Sequence, residues 1–397
     1  CNLNDFWAVV SKWWQKLDKR VILALAGIMV VATFFRFYRL QDIPIEMTSD
    51  HAEKILDVQD VLDGKRPIFF RRNTGRELFQ FYLTAGIIRL TGLPNSHLAL
   101  KVGTAIFGLV AIPFTFLLGR FLYGSLVGLL AAFFLAISHW HVAITRVGLR
   151  FPFTAAFVTP VLFFLLRALR HNKRNDWLLA GLFLGVGLHT YTTMRMAPIL
   201  CAVLIYIKIL MDGIRKLNKK PVEGVNSWSG AFWKNGALML SFTLLWLLPL
   251  IRYMVDDPQG VWIRSLSRAQ PESSSTLTEL TVQFLENIKN VLLMFNYRGD
   301  VVHINTIPYE PVLGLFSGAL FLLGLAYLIW RLLGDKDHRS LIMLVSLLFL
   351  LLPSILSLAY PNENPSVVRT GGAIPVVMII VAIPLATILL RLQSSQY

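Results

Sequence analysis

The stretch from Lys19 to Asp50 reads KRVILALAGIMVVATFFRFYRLQDIPIEMTSD. A basic pair opens it, and an acid-free apolar run follows from Val21 to Tyr38, interrupted only by Thr33 and Arg36. The stretch then closes among Asp42, Glu46 and Asp50. A run of this length and composition matches one crossing of a bilayer, which takes about 20 apolar residues. Because Lys and Arg concentrate on the cytoplasmic side of membrane helices, Lys19 and Arg20 orient the crossing with its acidic end outward.

Working outward, nine further runs are bounded by charge, Gly or Pro. They are Leu98 to Leu118, Ser125 to Ile137, Phe151 to Leu166, Trp177 to Thr190, Ala197 to Met211, Ala237 to Ile251, Val312 to Trp330, Leu341 to Leu358 and Ile374 to Leu390. The expected fold is an all-α polytopic membrane protein with about ten transmembrane helices, residues 1–397 forming a single transmembrane domain. The composition agrees, with 55% hydrophobic and 15% charged residues against about a quarter charged in soluble chains. It excludes a soluble globular class, disorder and a disulfide scaffold. Cys1 and Cys201 offer neither a disulfide pair nor a zinc spacing, and for a chain that opens on Cys rather than Met a trimmed terminus is the expectation.

The net charge of +15 raises the question of nucleic acid, but the map supplies another reason for it. With the first crossing oriented as above, basic residues fall on every inner segment: Lys12, Lys16, Lys19 and Arg20, then Arg120, Arg167, Arg170, Lys173 and Arg174. Arg215, Lys216, Lys219 and Lys220 follow, then Arg331, Lys336 and Arg339, and last Arg391. Both termini are therefore expected in the cytoplasm, with no nucleic-acid partner.

Two long segments are left outside, 39–97 and 252–311, the second a candidate lid. Each carries amphipathic stripes too short to span: Ile55, Val58, Val61 and Leu62; Leu78, Phe81, Tyr82, Ala85 and Ile88; and Leu277, Leu280, Phe284, Ile288 and Val291. The last is opened by a Thr276-x-x-Glu279 capping box. These are expected as interfacial helices on the outer membrane surface. A further stripe, Phe6, Val10, Trp13, Trp14 and Leu17, is expected on the inner surface.

The chemistry gathers on the outer side. Asp42, Glu46, Asp50, Glu53, Asp57, Asp60 and Asp63 lie within 22 positions of a chain that holds 23 acids in all. Asp50, Glu53 and Asp57 share one helical face, and Asp50 follows Thr48 and Ser49 at a helix start, as a cap or as a cleft acid. Outer ends of later spans carry Arg146, Arg150, Arg195 and Arg369, against the orientation rule. They are read either as anchors among lipid phosphates or jointly as an anion site. An acid beside such a site suits transfer from a lipid-phosphate sugar. The leaving group is already anionic and asks for cations, while the acceptor hydroxyl asks for one base, and single displacement inverts the anomeric carbon. No inner loop is long enough for a nucleotide-binding domain. His139 and His141 diverge on a helix, so no metal site is expected.

Several motifs add a resemblance. Ser49-Asp50-His51-Ala52-Glu53 and Gly75-Arg76-Glu77-Leu78 resemble the Asp-Glu-Ala and Gly-Arg-Glu-Pro segments of bacterial polyprenyl-phosphate-dependent glycosyltransferases of the GT-C class. These are related to protein O-mannosyltransferases and lipid A aminoarabinose transferases. Ser138-His139-Trp140, Thr145 to Arg150, Gly187 to Arg195 with Tyr191, and Asn364 to Pro375 match in the same order, so that the resemblance runs from about Arg36 to Ala386. It implies a membrane glycosyltransferase that moves a hexose or pentose from a polyprenyl-phosphate donor to a lipid, glycan or protein acceptor. The site would face the outer side of a bacterial cytoplasmic membrane.

Carried over residue by residue, Asp50 is the base, with His51 and Glu53 in support. Arg76, Glu77, Arg146, Arg150, Tyr191, Arg195 and Arg369 are donor or acceptor contacts. No cofactor is implied, and a divalent metal stays open. His51 departs from the pattern, standing where the second acid is found, and this motivates the alternative of a non-catalytic GT-C-like subunit in a larger membrane complex. A transporter would need midplane ionisable residues and repeated halves. Lys101 and Lys208 are the nearest candidates, and no repeat is present.

Overall fold

The computed structural model describes residues 18–73, 75–219, 224–262 and 276–394. The stripe from Phe6 to Leu17 lies outside them. Fourteen α-helices are described: α1 (Lys19–Phe37), α2 (Ser49–Leu62), α3 (Phe79–Thr91), α4 (His97–Tyr123), α5 (Ser125–Ile137), α6 (His139–Arg146) and α7 (Pro152–His171), then α8 (Arg174–Gly187), α9 (Met196–Leu217), α10 (Gly230–Asp256), α11 (Leu277–Leu293), α12 (Leu315–Asp335), α13 (His338–Ile355) and α14 (Ile374–Ser394). Two residue pairs, β1 (Phe69–Phe70) and β2 (Arg76–Glu77), form one antiparallel ladder between α2 and α3.

Every expected crossing is a helix, and the chain is a multi-pass membrane protein. Among the described residues eight helices are long and apolar enough to cross, nine if the bent pair α5 and α6 counts as one. The two short runs explain the difference from ten. α8 has 14 residues, about 21 Å of helix against a hydrocarbon core of about 30 Å. α5 stops at Ser138, where the axis turns by 52° into α6. The break leaves carbonyls at the end of α5 without helical partners, and the Arg36 guanidinium supplies them. It donates to Ala136 O at 3.1 Å and Leu135 O at 3.3 Å. Leu135 and Ala136 are buried within the protein, and a buried carbonyl needs such a donor.

α7 is the centre of the bundle. Its apolar window is 94% buried, against 17% for α10 and 22% for α1 at the periphery. The sequence PFTAAFVTPVLFFLLRALRH explains this, since apolar residues surround the axis and Pro152 sits at the helix start, where a missing N–H costs nothing. α4 and α8 pack on α7, α5 lies against α4, and α14 closes the far side against α5 and α12.

The short stripes of the first long segment differ from expectation in what they cover. Val58 and Val61 of α2 pack with Phe70, Phe81, Ala85 and Leu100 in a small core of their own. Their apolar faces are closed by each other and by α4, rather than spread on lipid. α11 has the expected capping box, in which the Glu279 amide donates to Thr276 Oγ1 at 3.2 Å and the Thr276 amide to Glu279 Oε2 at 2.8 Å. It is tied to α13 by Asn287, whose amide donates to Ile355 O at 2.9 Å.

Candidate active site

β2 organises the site because neighbouring residues of a strand point to opposite faces. Its two residues are Arg76 and Glu77, both buried. Gly75 leads into it at φ +87°, and the Phe69 ring occupies the space a Cβ would take, so the turn accepts only glycine.

Arg76 enters the acids of α2. Its Nη2 donates to Asp50 Oδ1 at 2.7 Å and to Glu53 Oε2 at 2.9 Å, and its Nη1 lies 3.9 Å from Asp57 Oδ2. Asn73 Nδ2 also donates to Asp50 Oδ1. The expected helical face of Asp50, Glu53 and Asp57 is therefore gathered on one guanidinium. The members differ in access: the Asp50 side chain is 37% exposed, and that of Asp57 is 1% exposed. Burial pushes the Asp57 carboxyl above the usual carboxylate range, against the pull of Arg72 and Arg76.

Glu77 enters a cluster of opposite sign. Its Oε2 accepts from Arg150 Nη1 at 2.5 Å and its Oε1 from Arg195 Nη2 at 3.2 Å. The Arg150 guanidinium stacks 5.6 Å from the Tyr191 ring centroid, and that of Arg195 lies 4.8 Å from the centroid of Trp262. Two cations therefore meet on one carboxylate. Arg150 is enclosed at 3% side-chain exposure, while Arg195 is reachable at 19%. The Arg195 bonds to Glu77 and to Val261 O, at 3.2 and 3.3 Å, are at the long end of the hydrogen-bond range. Asp50, Glu53, Arg76, Glu77, Arg150, Tyr191 and Arg195 thus form one assembly about a two-residue strand.

Three of the remaining site expectations are placed elsewhere by their contacts. Arg146 donates to four backbone carbonyls, those of Phe35, Tyr38, Arg39 and Ile43, at 2.7 to 3.3 Å, which closes the turn after α1. Lys101 does the same for Leu40, Gln41 and Pro44, so this midplane candidate serves the backbone, and Lys208 pairs with Asp212 at 2.7 Å. Arg369 pairs with Glu363 and donates to Ser357 Oγ at 2.8 Å.

His51 is the third. It is buried, its Nε2 donates to Val147 O at 2.8 Å, and its Nδ1 accepts from the Thr48 amide at 3.1 Å. Thr48 and His51 form the capping box of α2, so the imidazole does the work usually given to Glu at that position. Sequence reasoning missed this, although Thr48-x-x-His51 has the capping spacing. Burial pushes the His51 imidazole down to about 4. A depressed pKa means that the unfolded chain binds the proton first, so the His51 contribution is full above pH 6.5 and is lost as pH falls toward 4. The expected slope is about 1.4 kcal/mol per pH unit in that window. Asp300, pushed up to about 6 by burial, acts in the opposite sense over nearly the same range. The test is therefore a difference: His51→Gln should lose less stability than the unchanged protein between pH 6.5 and 4, and parallel curves would remove His51 as the titrating group.

Among the described residues no three His, Cys, Asp or Glu side chains gather as metal ligands. His139 Nε2 donates to Pro311 O at 3.2 Å, while His141 Nδ1 meets Arg36 at 2.7 Å on another side.

Residues 77–227 match the family model described as dolichyl-phosphate-mannose-protein mannosyltransferase, a segment that begins at Glu77 and includes Arg150, Tyr191 and Arg195. The curated protein sequences give no match. Among solved structures, ArnT from Cupriavidus metallidurans bound to undecaprenyl phosphate is similar over 92% of this chain and 60% of its own, with a TM-score of 0.60 at 14% identity. The archaeal oligosaccharyltransferase AglB from Archaeoglobus fulgidus, in complex with an inhibitory peptide and a dolichol-phosphate, is similar over 97% of this chain and 52% of its own, with a TM-score of 0.54 at 13% identity. The chain thus spans 60% of the first and about half of the second. By its helices and these likenesses, the chain is a multi-pass membrane protein with a GT-C-like fold, similar in fold to ArnT and AglB and, over residues 77–227, to the mannosyltransferase family model.

Proposed function

We propose that the protein is an inverting glycosyltransferase that moves a sugar from a polyprenyl-phosphate donor to an acceptor hydroxyl. The site would lie at the outer face of a bacterial cytoplasmic membrane, with both termini inside. One observation carries this reading: Asp50 is solvent-reachable and held by Arg76, while the next residue of the same strand, Glu77, gathers the two guanidinium groups of Arg150 and Arg195. A base and an anion site on one rigid ladder are what a single displacement needs. The lipid phosphates named with the similar ArnT and AglB structures support the donor class.

In the proposed reaction the acceptor O–H gives its proton to the Asp50 carboxylate as its oxygen bonds to the anomeric carbon. The bond from that carbon to the phosphate oxygen breaks on the opposite side, and the electron pair leaves with the polyprenyl phosphate. No general acid is required, because the leaving phosphate is stable as an anion, and Arg195 is placed to meet its charge. Arg150, enclosed under Glu77, is a positioning residue. Arg76 and Asn73 both donate to Oδ1 of Asp50 and fix the orientation of its carboxylate.

The non-catalytic alternative was motivated by His51, and the capping contacts give that residue a structural task which costs the site nothing. The test uses the purified chain in nanodiscs with a panel of polyprenyl-phosphate hexoses and pentoses. Donor-dependent thermal stabilisation together with turnover, to an acceptor or to water, is the expected result. A panel that yields neither sinks the transferase reading.

A further inference from the structure

The turn from Val147 to Arg150, which leads from α6 toward α7, is buried throughout. Gly148 stands in it at φ +82°, so close to α4 that a Cβ would meet Leu100 Cβ and the Lys101 amide nitrogen at 3.3 Å. Buried carbonyls need donors, and here side chains supply them. Val147 O accepts from His51 Nε2 of α2 at 2.8 Å and from His97 Nε2 of α4 at 3.2 Å, and Gly148 O accepts from Gln80 Nε2 of α3 at 2.7 Å. The other nitrogen of His51 fixes the direction of its bond. Nδ1 accepts from the Thr48 amide, which leaves the ring proton on Nε2.

His51 differs from the other donors in its neighbour. Asp50 precedes it in the first turn of α2, and Arg150 follows Val147 by three residues. The path from Asp50 through His51, Val147 and Arg150 to Glu77, and back through Arg76 to Asp50, is a closed ring of backbone, hydrogen bonds and ion pairs. β2 supplies one link between the carboxylate and the arginine face, and His51 supplies an independent second link. Groups joined by a single path can hinge about it, while a second path fixes their separation. His97 and Gln80 hold the same turn from α4 and α3, and neither of those helices carries Asp50.

We propose that His51 is a positioning residue: its bond to Val147 O sets the spacing between the Asp50 carboxylate and the cluster of Glu77, Arg150 and Arg195. This rests on the transferase reading. It also gives a reason for an imidazole at this position. Glu or Gln closes a capping box as well, so the cap alone does not require His. The bond to Val147 O requires a donor, which a carboxylate lacks. A displacement reaction is sensitive to such spacing, since a 1 Å misplacement costs about a hundredfold in rate.

The test compares the unchanged full chain in nanodiscs with His51→Leu, His51→Gln and Thr48→Ala. Single-turnover release or transfer of sugar from radiolabelled polyprenyl-phosphate hexoses and pentoses is measured beside hydrogen exchange of residues 147–153. Leu can neither accept from the Thr48 amide nor donate to Val147 O, whereas Gln can do both. Thr48→Ala weakens the cap and keeps the bond to Val147. His51→Leu should fold, because Val147 O retains His97. Its rate constant should fall about 10- to 100-fold, with donor half-saturation changed by no more than about threefold, as Arg195 still meets the phosphate. His51→Gln should recover most of the rate, and Thr48→Ala should lower only the unfolding temperature. A merely structural role would reduce the single-turnover amplitude, through a smaller folded fraction, and spare the rate constant. Exchange at 147–153 should quicken in His51→Leu and not in His51→Gln. The proposal is overturned if His51→Leu matches the unchanged protein in rate constant or in exchange, or if His51→Gln is as slow as His51→Leu. If the unchanged protein releases and transfers no sugar, the transferase reading itself fails, and the role of His51 in it falls too.

Discussion

Asp50→Asn should lower sugar transfer about a thousandfold, the middle of the range for losing a positioned general base. The fold should be nearly untouched. The Asp50 side chain is partly exposed, Arg76 keeps Glu53 at 2.9 Å, and an amide oxygen at position 50 still accepts from Asn73. A half-exposed ion pair contributes about 1 kcal/mol or less, so unfolding should shift by no more than that. The measurement is single-turnover transfer from a radiolabelled polyprenyl-phosphate sugar, beside thermal unfolding of the same preparation. Full turnover by the Asn protein would remove Asp50 as the base. Glu53→Gln is the control, because Glu53 shares Arg76 but lies a turn further along α2. It should retain most activity if Asp50 alone takes the proton.

Glu77→Gln should have its main effect on stability. The side chain keeps its shape but takes the charge of Glu77 away from the enclosed Arg150, and breaking one partner of a buried pair costs about 3–5 kcal/mol. The lower end applies here, since Arg195 is 19% exposed and can turn to water. Changing both partners, Glu77→Gln with Arg150→Met, should recover much of the loss, because the stranded charge is then gone. Chemical unfolding of the two variants in detergent decides the point. If Glu77→Gln unfolds with the unchanged protein, the cluster is not the buried ion pair that the geometry describes. Activity should drop in Glu77→Gln as well, as the Glu77 contact that aims Arg195 loses its charge.

The acid and arginine sets were each legible in the sequence, while their arrangement was not. Seven acids within the 22 positions from Asp42 to Asp63, and arginines at span ends away from the most basic flanks, are composition facts that any reader of the chain can count. Which arginine does what depended on the number of carbonyls within reach. Arg146 stands four residues before Arg150, looks equivalent to it on a helix end, and yet is consumed by the turn after α1. Arg76 and Glu77 read as one motif, and the pleat of β2 sends them into two clusters of opposite sign.

Sequence by itself determined the membrane class, the order of the crossings, the polarity of their flanks and the three short amphipathic helices. Those properties follow from transfer free energies and from a period of 3.6 residues, both of which are local along the chain. Tertiary structure alone decided that α2 and α3 close on each other instead of on lipid. It also decided that His51 caps a helix, that α5 breaks over Arg36, and that Asp50 stands open while Asp57 is sealed. Each of these depends on groups from distant parts of the chain satisfying one another where water is excluded. The energy of an unpaired donor or charge there is set by its neighbours in space and not by its neighbours in sequence.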